Sequence, residues 1–201
     1  APEPAPEPTL PPTTTPIPSA GSFTNPLFSD GADPWLEWFE GNYYLTTTTG
    51  SSQLVMRKSP TLAGLADATP QFIWSETVPT RAFTFWAFEF HRLEGPNGPR
   101  WYVMYTSGDG SQWGQRLHVL ESAGDDPLGP YEFKNTLIPD PWNIDGTYLT
   151  HNDQLYLLWS QFVGNDQSIW IAAMHNPWTV DESTAMVLTR PDYLWENGLR
   201  E

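Results

Sequence analysis

Cysteine is absent from the 201-residue chain, which removes disulfides and thiolate metal sites from consideration. Positive charge is scarce. The 9 Lys and Arg stand against 24 Asp and Glu, for a formal net charge of −15. A surface so acidic repels phosphate backbones and anionic lipid, so neither nucleic acid nor a membrane is an expected partner. It suits a neutral ligand. No apolar run approaches the ~18–20 residues of a membrane-spanning helix. No Asn-x-Ser/Thr sequon occurs, so N-glycosylation is not expected. The chain opens at Ala1 with neither Met nor a signal peptide, and this reads as a processed mature end. Amphipathic helical periodicity is missing beyond one or two turns.

What is present falls into two parts. Residues 1–22 read APEPAPEPTLPPTTTPIPSAGS, with eight Pro and four Thr in the first 20 positions. Such a stretch cannot bury a core, and it predicts an extended, disordered leader or linker that resembles an O-glycosylated stalk. From Phe23 the pattern changes, and residues 23–201 read as a single domain. Aromatic residues make up 14% of the chain, with 11 Trp. Most of these rings belong to a core, and a few suit a sugar site.

Short aromatic and β-branched runs alternate with Gly, Asn, Asp and Pro. They predict three hairpins: residues 36–39 with 43–48, 88–93 with 101–106, and 146–150 with 154–159. The intervening turns are Glu40-Gly41-Asn42, a loop over 94–100, and His151-Asn152-Asp153. A further strand follows each, at 54–58, 116–121 and 168–174. Tyr44, Tyr102 and Tyr156 hold one place in the three units, 58 and 54 residues apart. A period near 55 with about four strands per unit is the signature of a β-propeller blade.

Acidic residues share the repeat. Asp33 and Asp145 each lie 11 residues before their Tyr, and Glu89 lies 13 before, a difference the longer loop over 94–100 can absorb. Asp33, Glu89 and Asp145 are 56 residues apart in turn. Equivalent positions in successive blades converge on the propeller axis, so these three carboxyls should crowd one end of the central channel. Crowding of like charges raises at least one pKa, and glycoside hydrolysis needs both an ionised and a protonated carboxyl. Glu89, set among the bulky residues of WAFEFH, equally suits a buried, hydrogen-bonded structural role.

Four segments together resemble glycoside hydrolase family 43: TNPLFSDGADPW (24–35), FWAFEFH (85–91), WNIDGTYL (142–149) and QSIWIAAMHNPWTV (167–180). Phe88 replaces the usual Pro of the second. The resemblance implies an all-β, five-bladed propeller of which this chain supplies about three blades. It implies a secreted, inverting α-L-arabinofuranosidase acting on a neutral plant polysaccharide such as arabinoxylan or arabinan. A β-xylosidase, an arabinanase or a non-catalytic carbohydrate-binding propeller is the alternative. Asp33 takes the general-base position and Asp145 the position that tunes the acid. Trp86 is expected to stack on the sugar, with Phe85, Glu89 and His91 beside it. No metal or cofactor is implied for catalysis, with room for a structural ion in the central channel. The family's general acid opens blade four, usually in Asn-Glu-Gly-Pro. This chain stops at TRPDYLWENGLRE, with Glu201 at the next 56-residue step. A C-terminal fragment or second chain is therefore expected to complete the ring and supply the acid.

Overall fold

The computed structural model describes residues 25–197. The expected leader over 1–22 and the candidate acid Glu201 lie outside the described residues. The chain forms three consecutive antiparallel sheets. The first contains β1 (Trp35–Phe39), β2 (Asn42–Thr46), β3 (Gln53–Ser59) and β4 (Gln71–Ser75). The second contains β5 (Phe83–Gly95), β6 (Gly98–Gly108), β7 (Arg116–Ser122) and β8 (Tyr131–Thr136). The third contains β9 (Ile144–His151), β10 (Gln154–Val163), β11 (Asp166–Asn176), β12 (Thr179–Val180) and β13 (Met186–Thr189). Each sheet is a meander in sequence order, and in the third β12 and β13 share the last place along β11. These are three blades of a propeller. Helical structure among the described residues is limited to four 3-10 turns.

The turns follow local chemistry. Glu40-Gly41 and Asn152-Asp153 both carry positive φ at the two central positions. That is the two-residue hairpin turn whose twist matches the flanking strands. In blade two the hairpin turns at Pro96-Asn97 instead. Residues 94–100 are therefore not the expected loop. Leu93, Glu94 and Gly95 pair with Arg100, Pro99 and Gly98. Pro99 is tolerated there because the tip runs past β7, whose pairing begins at Tyr102.

The core sits between blades. Between blades one and two, Tyr44, Leu54 and Met56 meet Phe85, Phe88, Phe90, Val103 and Tyr105. Between blades two and three, Tyr102, Met104, Leu117 and Val119 meet Leu157, Trp159, Ala172 and Met174. Polar ties cross the same seams. Trp35 Nε1 donates to Phe90 O at 3.0 Å, and Thr46 Oγ1 donates to Phe88 O at 2.9 Å. Tyr44, Tyr102 and Tyr156 pair with Glu37, His91 and Leu149 on the first strand of their blades, which sets a common register. The two outer faces keep apolar side chains exposed: Leu36, Trp38 and Phe72 on blade one, and Leu149, Ile169, Met186 and Leu188 on blade three.

Candidate active site

The first strands β1, β5 and β9 are entered at one end of the three blades, and the same backbone pose recurs there. Asp33, Ala87 and Asp145 have φ of 51°, 32° and 53°. The register shows that these three are equivalent. Two positions further on, Trp35, Glu89 and Thr147 pair with Thr46, Met104 and Leu158. Glu89 is therefore out of phase with Asp33 and Asp145. The blade-two hairpin is longer by two pairs, hence by four residues, and the sequence reading allowed for two. The even 56-residue spacing comes from that offset. Asp and Asn tolerate the left-handed region better than other non-glycine residues, which suits positions 33 and 145.

Threonines at the ends of the second strands fix the pose. Thr48 Oγ1 donates to Asp33 Oδ2 at 2.6 Å and accepts the Ala87 backbone N–H at 2.8 Å. Thr106 Oγ1 accepts the Asp145 backbone N–H at 3.2 Å. Both hydroxyl-to-amide contacts span 39 residues. A hydroxyl of blade one thus seats the start of blade two, and a hydroxyl of blade two the start of blade three.

The acids do gather, although at two depths. Asp33 and Asp145 both have exposed side chains, and Asp33 is oriented by Thr48. The Asp145 carboxyl is pushed up to about 6, first by the protein walls around it and then by the negative charges of Asp33 and Glu89. Glu89 is half-buried. Its Oε2 accepts from Thr147 Oγ1 at 2.6 Å and lies 2.8 Å from His91 Nε2. The His91 ring lies against Trp35 at 4.7 Å and meets Tyr148 edge-on at 5.3 Å. Glu37, which the sequence reading missed, lies near this pair. Burial raises its carboxyl, His91 lowers it and Glu89 raises it. The available signal was an acid in the middle of the otherwise apolar strand WLEWF.

The aromatic expectations divide. Trp86 is half-buried and pairs with Thr106 beside the left-handed Ala87. Phe85 is 1% exposed, belongs to the seam between blades one and two, and stacks on Tyr105 at 5.3 Å. It cannot touch a sugar, and its expected binding role is corrected to a packing one. Among the described residues no group of three or more His, Asp or Glu side chains is arranged to hold a metal ion.

The arrangement offers an oriented carboxylate on one blade whose charge acts on a carboxyl of raised pKa two blades away, with an indole between them in sequence. The model of the family described as "Glycosyl hydrolases family 43" matches residues 23–200. The chain is 33% identical over 193 residues to a Streptomyces avermitilis protein named extracellular exo-alpha-(1->5)-L-arabinofuranosidase, across 91% of this chain and 39% of that one. It is 32% identical to alpha-L-arabinofuranosidase 43 of Humicola insolens, across 88% of this chain and 38% of that one. A solved alpha-L-arabinofuranosidase structure from Lactobacillus brevis matches with a TM-score of 0.77 at 26% identity, over 86% of this chain and 57% of that chain. The chain thus spans about two-fifths of the length of these curated relatives, and about three-fifths of that structure.

Proposed function

The chain belongs to the glycosyl hydrolases of family 43, and on that premise we propose that its three blades carry the base side of a site that removes α-L-arabinofuranosyl groups from plant cell-wall polysaccharide with inversion. The observation that carries the reading is the Thr48-oriented Asp33 together with Asp145, whose carboxyl is pushed up to about 6 by burial and then by the charges of Asp33 and Glu89. Two relatives are named extracellular exo-arabinofuranosidases, which supports both the substrate class and secretion.

In this reading Asp33 takes a proton from a water that attacks the anomeric carbon. A carboxylic acid on the opposite side gives a proton to the departing oxygen. Carboxyls roughly 6.5–9.5 Å apart leave room for that water. The acid comes from the part of the ring beyond the described residues, supplied by a C-terminal segment, a fragment or a second chain. Asp145, once ionised, opposes loss of that acid's proton through like-charge repulsion. Trp86 offers an apolar face to the sugar ring. Glu89 is held by Thr147 and His91, and it acts as part of the pocket wall and as a source of negative charge. No cofactor enters these steps, and an ion in the central channel would need ligands beyond Glu89 and His91.

The test uses the protein that carries this chain together with the remainder of the ring. It compares aryl α-L-arabinofuranoside with aryl β-xyloside, and follows the anomer first released by proton NMR. Arabinofuranoside cleavage with inversion, lost in Asp33→Asn, is the expected result. Preference for the xyloside would replace the reading with a β-xylosidase. Sugar binding without turnover would replace it with a carbohydrate-binding propeller.

A further inference from the structure

Three aromatic rings stand together outside the carboxyl cluster. Trp113 meets Trp142 at 5.9 Å and Phe162 at 5.8 Å, both edge-on, and Trp142 lies 5.0 Å from Phe162. Trp113 is 56% exposed, whereas Trp142 and Phe162 are half-buried. They come from three separate segments: residues 109–115 between β6 and β7, residues 137–143 before β9, and the end of β10. All three lie at the end of the blades where β5 and β9 begin, the end that carries Asp33 and Asp145. Trp142 is three residues before Asp145.

The cluster is braced. Trp142 Nε1 donates to Gln115 Oε1 at 2.8 Å. Gln115 Nε2 reaches Ser111 O at 3.2 Å and Thr84 Oγ1 at 3.5 Å, which ties the loop to the strand bearing Trp86. The Trp113 carbonyl accepts from Arg116 Nη1 at 3.0 Å. A tryptophan left mostly exposed on a loop held this way offers a ready apolar face. The chain's net charge of −15 disfavours an anionic occupant. The C–H face of a neutral sugar ring meets both conditions.

We infer that Trp113, supported by Trp142 and Phe162, forms an outer sugar-binding platform that stacks on a neutral pentose unit of the polysaccharide chain away from the bond being cut. The inference rests on the proposed polysaccharide-directed function and names a second point of attachment for that substrate.

The experiment uses the whole protein and its Trp113→Ala and Trp113→Tyr variants. Each is assayed on aryl α-L-arabinofuranoside and on soluble arabinoxylan and arabinan, and each is run in native gels containing those polymers. In Trp113→Ala, polymer kcat/KM should fall about five- to tenfold and gel retardation should weaken, while aryl-glycoside turnover and Tm stay as in the parent. Trp113→Tyr should restore most of the polymer effect. Unchanged polymer kinetics and retardation would overturn the platform. So would a lowered Tm with unchanged polymer binding, which would assign the ring to packing against the rest of the protein. If the parent cleaves no arabinofuranoside yet is retarded through Trp113, the platform stands and the proposed activity falls.

Discussion

Thr48 holds Asp33: its hydroxyl donates to the Asp33 carboxylate at 2.6 Å while accepting the Ala87 amide from the neighbouring blade at 2.8 Å. One side chain therefore links the carboxylate assigned as base to the strand that bears Trp86. Thr48→Val keeps the shape and removes both bonds. In the whole protein kcat should fall about tenfold with little change in KM, and Thr48→Ser should recover most of it. A variant that loses Tm and keeps kcat once folded would reduce Thr48 to a structural tie.

Asp33→Asn should lower turnover about 10²–10⁴-fold while sugar binding persists, because the amide keeps the shape and cannot take a proton. Asn also tolerates the φ of 51° at this position, so folding should survive. Isothermal titration with the released sugar, beside steady-state kinetics, separates the two effects.

Asp145 supplies a pH signature of its own. Its carboxyl is raised from the usual 3.8 to about 6, so the folded state holds this proton more tightly than the unfolded chain does. The stabilising contribution is complete below about pH 4 and is lost as pH rises through 6. Asp145→Asn removes the ionisation. The variant should therefore melt above the parent at pH 7–8, and the gap should close toward pH 4. Its turnover should drop, and the alkaline limb of its pH–rate profile should move down, since the neighbouring charge that helps keep the acid protonated is gone. Melting curves at several pH values, with turnover at the same values, check both outcomes.

Gly146 sits beside Asp145 and against blade two. A Cβ there would come within 2.6 Å of Met104 Sδ and 2.7 Å of Leu117 Cδ1. Gly146→Ala should cost roughly 1–3 kcal/mol through overpacking. Urea denaturation should show this as a lowered midpoint with an unchanged slope.

Adjacent aromatic residues should behave oppositely. Phe85→Leu should lower stability by about 1–2 kcal/mol and leave KM unchanged, because the ring is sealed between blades. Trp86→Ala should raise KM for arabinofuranoside about tenfold with a smaller loss of stability. Equal effects on KM from both would undo the division between core and pocket.

The blades themselves were legible because each is local. Three hairpins with a Tyr at one register position can be read from period-2 patterning and turn residues alone, and the structure places Tyr44, Tyr102 and Tyr156 in that common register. What escaped was the length of the second hairpin. EGPNGPR reads as a loop by composition, yet it pairs up to Pro96-Asn97, and Pro99 is tolerated because the tip has no strand on its other side. That error of two residues put Glu89 in phase where Ala87 belongs. Phe85 escaped for a related reason. The register shifts between Phe83 and Trp86 and again between Trp86 and Glu89. No simple alternation along FWAFEF therefore tells which ring is sealed and which is free. Glu37 escaped because the charged groups that act on it, His91 and Glu89, are in the next blade, and no spacing within one hairpin reveals them.

Ala87 adopts the same left-handed pose as two acids without being one. The bend at the mouth of each blade is thus a property of the scaffold, and in blades two and three a hydroxyl from the blade before holds it. Charge is written onto that bend separately. A lineage could add or erase a carboxylate at any of these stations by a single codon change, with no rebuilding of the surrounding sheet. The chemistry of the mouth is in this sense an editable inscription on a fixed set of pages.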